Sequence, residues 1–181
     1  VVYAERFGKE GAFITKATAQ LMRDFGSIQS PHNAYILNLG LESLAVRMPR
    51  YVANAQKVAE FLEANDLVTW VNYPGLPSNK YYEIAKKMMP GGTCGVISFG
   101  VKGGRKAAET FMKHLKLGSI ETHVADAVTC VLHPASSTHR QMNDEELVAA
   151  GVGPDLIRLS VGLENVDEII ADLKQALDAT R

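Results

Sequence analysis

The chain has 181 residues, with 20 acidic against 19 basic side chains and a formal net charge of −1. Its 46% hydrophobic and 22% charged composition is that of a globular chain with a core, not a disordered one. Near-neutral charge excludes a surface built to neutralise many phosphates, so no nucleic-acid partner is expected. No run approaches the roughly 18 apolar residues of a membrane span. Two cysteines, Cys94 and Cys130, are too few for a disulfide framework or a paired zinc knuckle, and we expect both as reduced thiols in a cytoplasmic protein.

The first third reads as helix. Ala12, Phe13, Ala17, Leu21 and Phe25 recur at near-helical spacing, and Gly26 stops the run where a left-handed cap costs least. Ser30-Pro31 marks a second start, with Ser30 as N-cap and Pro31 in the first turn. From there helix is expected as far as Asn65, interrupted at Met48-Pro49, where Pro49 either kinks one helix or begins another. Val52, Ala55, Val58, Ala59 and Leu62 form its apolar stripe.

Beyond residue 66 short strands and helices alternate. Val68–Tyr73 reads as strand, Lys80–Met89 as helix, Gly95–Val101 as strand, Arg105–Leu115 as helix and Val128–Leu132 as strand. Asn143 with Glu146 and Asn165 with Glu168 have the capping-box spacing that opens helices, and Leu156–Val161 lies between them as a strand. In the last helix Val166, Ile169, Ile170, Leu173, Ala176 and Leu177 share one face. The pattern predicts an α/β fold, a small sheet covered by helices and preceded by a helical arm, with residues 1–65 as the arm and 66–181 as the α/β domain.

Arg158 is the most informative residue. It interrupts Leu156-Ile157-Arg158-Leu159-Ser160-Val161, so it shares a strand face with Leu156 and Ser160. A guanidinium keeps its proton and needs a partner in an apolar setting, either an internal carboxylate or an external carboxylate or phosphate. His133-Pro134-Ala135-Ser136-Ser137-Thr138-His139 gathers hydroxyls and imidazoles at a strand end, where they serve either turns or binding. His123 lies in the loop upstream, with structural and functional readings both open. Gly95-x-x-Ser98-x-Gly100 is one residue too long for a nucleophile elbow, and Gly100–Lys106 lacks the phosphate-loop spacing. His133 and His139 lack the i, i+4 pairing of a helical zinc site, so no metal is expected.

Several blocks together carry a resemblance. In order they are Ser30-Pro31-His32-Asn33-Ala34, Gly40-Leu41-Glu42-Ser43-Leu44, Asn54-Ala55-x-x-Val58-Ala59-x-Phe61-Leu62 and Val71-Asn72-Tyr73-Pro74-Gly75-Leu76. Ser98-Phe99-Gly100-Val101-Lys102-Gly103-Gly104, His133-Pro134-Ala135-Ser136 and Leu156–Glu164 follow. The series resembles the C-terminal part of the Cys/Met-metabolism enzymes that depend on pyridoxal phosphate, with the fold of the small domain of fold-type I transferases. Tyr73–Leu76, Phe99–Gly104, Phe7-Gly8 and Ala12–Lys16 resemble the O-acetylhomoserine sulfhydrylase branch in particular. Cystathionine synthases, cystathionine lyases and methionine γ-lyase are relatives that stay open, as does a non-catalytic α/β binding module.

The resemblance implies a transferase of methionine biosynthesis that makes homocysteine or methionine, with acetate, from O-acetyl-L-homoserine and sulfide or methanethiol. It implies that Arg158 binds the substrate carboxylate, that Thr138 lies beside it, and that His123 stands where relatives place a polar residue on the same carboxylate. It also implies a homotetramer. The cofactor lysine of these enzymes belongs to a Ser-x-Thr-Lys block in an N-terminal domain. Thr15-Lys16 imitates that block but continues as Ala17-Thr18-Ala19-Gln20, so neither a catalytic nor a cofactor-binding residue is assigned in this chain. On this view Val1, without an initiator Met, is a cut edge, and the chain alone is inactive until joined by its N-terminal part.

Overall fold

The structure, a computed structural model, describes residues 2–181. It divides into two units, one ending at Leu44 and the other spanning Ala45–Arg181.

The first unit is helical. Helix α1 (Val2–Lys16) turns sharply at Gly8, whose φ of 73° suits a residue without a Cβ. A π-helical turn, Ala17–Met22, leads into the short α2 (Arg23–Phe25), closed by Gly26 in the left-handed conformation that the sequence predicts. Ser30 caps α3 (Pro31–Glu42) by accepting the Asn33 N–H at 3.2 Å. None of these helices buries a residue, and Phe13 and Phe25 remain 82% and 79% exposed.

The second unit begins inside α4 (Leu44–Glu63), which carries Pro49 in its first turns without breaking. The boundary between α3 and α4 falls at Ser43 rather than at Met48-Pro49; Pro49 forgoes a bond to the Ala45 carbonyl, and the buried stripe beyond it carries the helix through. The two compact units meet at Leu44/Ala45. Tyr51, Asn54, Ala55, Val58, Ala59 and Leu62 of α4 are buried, and the aliphatic members of that stripe join the α/β core.

The remaining elements follow the predicted alternation: β1 (Val68–Asn72), α5 (Tyr82–Met88), β2 (Val96–Val101), α6 (Gly104–His114), β3 (Ser119–Ile120), β4 (Cys130–Leu132), a 3-10 turn (Pro134–Ser136), α7 (Asp144–Ala149), β5 (Leu156–Ser160) and α8 (Val166–Asp178). Asn143 and Glu146 form the reciprocal capping box, while Asn165 caps α8 through the Asp167 N–H. Strand β3 has no counterpart in the sequence reading, since two residues carry no periodicity.

The strands form one mixed sheet in the order β1-β2-β5-β4-β3, antiparallel except for β3 beside β4. Ile97, Phe99, Ile157, Leu159 and Val131 point into a core shared with Val58 and Leu62 of α4, Phe111 of α6 and Ile169, Leu173 and Leu177 of α8. Each such side chain contributes about 1.5–3 kcal/mol by leaving water. Alternation along the strands turns Ser98, Arg158 and Ser160 to the other face, and that face holds the candidate site.

Candidate substrate-carboxylate site

Arg158 occupies the middle of β5, the central strand, between Ser98 of β2 and Leu132 of β4. Apolar alternation holds β5 in register, because a slip of one residue would drive the guanidinium into the core and Ile157 out of it. The side chain is half-buried. Its Nη2 donates to the backbone carbonyls of Thr122 at 2.7 Å and His123 at 3.2 Å. Its Nε is buried and has no acceptor. Among the described residues no carboxylate forms an ion pair with it. Two carbonyls offset part of the desolvation of a cation, but they supply no countercharge. The guanidinium is a planar fork of donors without a countercharge among the described residues, and a carboxylate has the matching geometry.

The two carbonyls come from the loop over residues 121–127, which has no regular structure of its own and is pinned from several sides. The Ala125 N–H donates to Ser160 Oγ at 3.0 Å, and the Tyr51 hydroxyl donates to the Ala125 carbonyl at 3.2 Å. Ala125 adopts a φ of 59°, an uncommon setting for a residue with a Cβ that these two bonds hold in place. The end of the loop is knitted to the turn after β5. The Leu163 N–H bonds to the Ala127 carbonyl at 2.8 Å, and Thr129 donates to both oxygens of Glu164, at 2.6 Å from its N–H and 2.9 Å from its hydroxyl. From α4, Asn54 ties that turn through the carbonyls of Gly162 and Glu164, each at 3.0 Å.

Of the three residues predicted to touch substrate, Arg158 and His123 are brought together, though through the His123 backbone. The His123 ring is exposed and turned to acids, its Nδ1 standing 2.7 Å from Glu121 Oε2 and 3.6 Å from Asp126 Oδ2. Thr138 is exposed in the turn that follows β4 and pairs with the adjacent His139 ring at 2.9 Å; no hydrogen bond joins it to Arg158. His133 is structural. Its Nε2–H donates to the Pro154 carbonyl at 2.9 Å, which leaves Nδ1 to accept the Ser136 hydroxyl at 2.8 Å.

Cys94 and Cys130 are free thiols. Burial pushes the Cys130 thiol up, helped by the nearby carboxylates of Glu121, Asp126 and Glu164 and opposed by Arg158. Among the described residues no cluster could hold a metal ion. A phosphate calls for several converging donors and the cofactor for a lysine amine, whereas among the described residues no lysine amine shares in the bonds of Arg158. A single planar guanidinium suits a carboxylate rather than pyridoxal phosphate.

Sequence reasoning missed three supports of the site. Asp172 is 7% exposed in α8 and accepts the N–H groups of Lys116 at 2.8 Å, Leu117 at 3.0 Å and Gly118 at 2.9 Å, anchoring the turn into β3. Its signal was present, because an acid at 172 lies on the same helical face as Ile169 and Ala176. Tyr51 and Asn54 carried no such signal, since their partners lie 74 and 108 residues away.

Residues 8–178 match the family model of the Cys/Met metabolism PLP-dependent enzymes. The chain is 47% identical over 167 residues to an O-acetyl-L-homoserine sulfhydrylase of Leptospira meyeri, covering 92% of this chain and 38% of that protein. It is 47% identical over 154 residues to an L-methionine gamma-lyase of Treponema denticola, covering 84% of this chain and 38% of that one. A crystal structure of a protein described as an O-acetylhomoserine (thiol)-lyase from Campylobacter jejuni, containing N'-pyridoxyl-lysine-5'-monophosphate, superposes with a TM-score of 0.83 at 40% identity. That superposition covers 92% of this chain and 39% of the other. The chain thus spans about two-fifths of the length of the relatives it matches.

Proposed function

The chain belongs to the Cys/Met metabolism PLP-dependent enzymes, and from that premise we propose that it is the carboxylate-holding C-terminal portion of an O-acetylhomoserine sulfhydrylase. The complete enzyme exchanges the acetate of O-acetyl-L-homoserine for sulfide, giving homocysteine, or for methanethiol, giving methionine. The observation that carries the reading is Arg158, whose buried Nε has no acceptor and whose guanidinium has no acidic partner among the described residues. A carboxylate bound there in bidentate form gains charge-assisted hydrogen bonds and fixes one end of the amino acid. Holding that end limits the orientations of the remaining substrate and excludes water from the guanidinium.

Thr138 borders the carboxylate, and His123 contributes through its backbone. Pyridoxal phosphate supplies the electron sink in the complete enzyme, held by a part of it outside this chain; Lys16 takes no part. Residues 1–65 serve as the arm that links to that part. The chain alone is inactive and works in a cytoplasmic homo-oligomer, a tetramer in its full form. No helix among the described residues is long and apolar enough to cross a membrane.

In the complete enzyme Arg158→Ala is expected to lower kcat/KM for O-acetyl-L-homoserine about a hundredfold or more, with cofactor binding retained. Unchanged kinetics refute the clamp. The similarity to a methionine gamma-lyase supports a second reading, elimination from methionine. Sulfide-dependent release of acetate decides for the sulfhydrylase, whereas ammonia release from methionine without acetate formation decides for the lyase. Mixing this chain with its N-terminal part tests both against a free-standing binding module, which would neither associate nor become active.

A further inference from the structure

Arg158 has no acidic partner among the described residues, although Glu121 and Asp126 flank the loop residues whose carbonyls hold it. The carboxylates of Glu121, Asp126 and Glu164, together with the Arg158 guanidinium, all lie close enough to act on the Cys130 thiol. Glu121 and Asp126 belong to the same loop whose carbonyls hold Nη2. A carboxylate tethered so near competes with an external one at an effective concentration on the order of millimolar. An arginine–carboxylate fork is also the stronger of the pairings open to those acids. An open guanidinium therefore requires that each neighbouring acid be engaged elsewhere.

Each of them is. Glu164 takes both donors of Thr129, at 2.6 and 2.9 Å. Asp126 accepts the Val128 N–H on one oxygen at 3.3 Å, and its other oxygen lies 3.6 Å from His123 Nδ1. Glu121 has His123 Nδ1 at 2.7 Å as its partner. A carboxylate only accepts, so Nδ1 carries the proton in that contact. The ring is 63% exposed in its side chain, so packing does little to set where it sits.

We propose that His123 is a positioning residue that keeps Arg158 open to an incoming carboxylate by drawing Glu121 and Asp126 away from it. The proposal rests on the reading of Arg158 as the substrate clamp and adds the device that prevents the clamp from closing on the protein's own acids. With the imidazole removed, Glu121 and Asp126 turn to the guanidinium and act as an internal inhibitor.

The test uses the 181-residue chain and phenylglyoxal, which modifies unpaired guanidinium groups, with each arginine followed by peptide mass mapping. Arg105, paired with Asp144, sets the rate of a paired arginine, and exposed Arg140 sets an upper reference. Wild-type Arg158 is expected to react faster than Arg105. His123→Leu should slow Arg158 about fivefold, the factor of a modest ion pair. Adding Glu121→Gln and Asp126→Asn to that variant should restore the rate, and His123→Asn, which keeps a donor near the Nδ1 position, should leave it close to wild type. A loosened or unfolded loop would speed the reaction, so an increase at Arg158 in His123→Leu overturns the proposal. No change there overturns it too, as does a wild-type Arg158 no faster than Arg105. No substrate is needed, so this result stands apart from the kinetic outcome of Arg158→Ala.

Discussion

Asp172→Ala probes how the site is carried by a residue remote from it. The Asp172 carboxylate is buried on α8 and accepts three consecutive backbone N–H groups, of Lys116, Leu117 and Gly118, along with the Gln175 amide at 3.0 Å. These donors close α6 and aim the chain into β3, the strand that precedes the loop over Arg158. Hydrogen bonds to a charged acceptor contribute about 1.5–3 kcal/mol each, but the turn is half-exposed and water replaces part of the loss, so a cost of about 3 kcal/mol is expected. For a chain of this size that lowers Tm by about 6–12 °C. Burial pushes the Asp172 carboxyl up, but the bonds from Gly118, Lys116, Leu117 and Gln175 outweigh it and hold the group below the ordinary carboxylate range. With the folded value lowered, its stabilisation is complete above the unfolded pKa of about 3.9 and is lost as pH falls through the folded value. Urea unfolding followed by circular dichroism, at neutral pH and in steps below pH 4, measures both effects. The difference between wild type and Asp172→Ala should shrink on acidification. Equal stability at neutral pH, or a difference that widens in acid, refutes the reasoning.

Asn54→Ala removes the two bonds that tie α4 to the Gly162 and Glu164 carbonyls, and thermal unfolding should show a loss of about 2 kcal/mol. Gly162→Ala places a Cβ 2.5 Å from the Val128 carbonyl carbon and 2.6 Å from the Ala127 carbonyl oxygen; backbone must move, and a cost of about 2–3 kcal/mol is expected in the same assay. Gly100→Ala drives a Cβ into Trp70 Nε1 and Asp155 Oδ2, a pair hydrogen-bonded at 2.9 Å. Since Trp70 is the single tryptophan, its emission should shift to the red, and an unchanged spectrum would show that the ring had not been displaced.

Regular elements with long periods were legible in the sequence. The stripes of α4 and α8, the capping box at Asn143 and the alternation of β5 follow from one-dimensional spacing, because a helix or strand buries what its own period brings to one face. What escaped has no period. Strand β3 has two residues, and the loop over 121–127 is held by bonds to Tyr51 and Ser160 from distant elements. Pro49 is expected to kink one helix or begin another, yet α4 runs through it because its buried stripe outweighs one lost bond, and the turn falls at Ser43. The apolar stripe of α4 is visible in the sequence, but which surface it buries against is not.

The same contrast holds for the site. From sequence alone, a lone arginine among apolar strand residues calls for a partner, because a cation that keeps its proton is costly to leave alone in such a setting. Whether one of its 20 acidic residues would answer was beyond the sequence, since any of them could have been folded against β5. Only the tertiary structure decided that none is, among the described residues, and that Glu121, Asp126 and Glu164 have other donors. Pairing in space depends on contacts such as that from Arg158 to Thr122, 36 residues apart, and no local pattern encodes a contact across that separation.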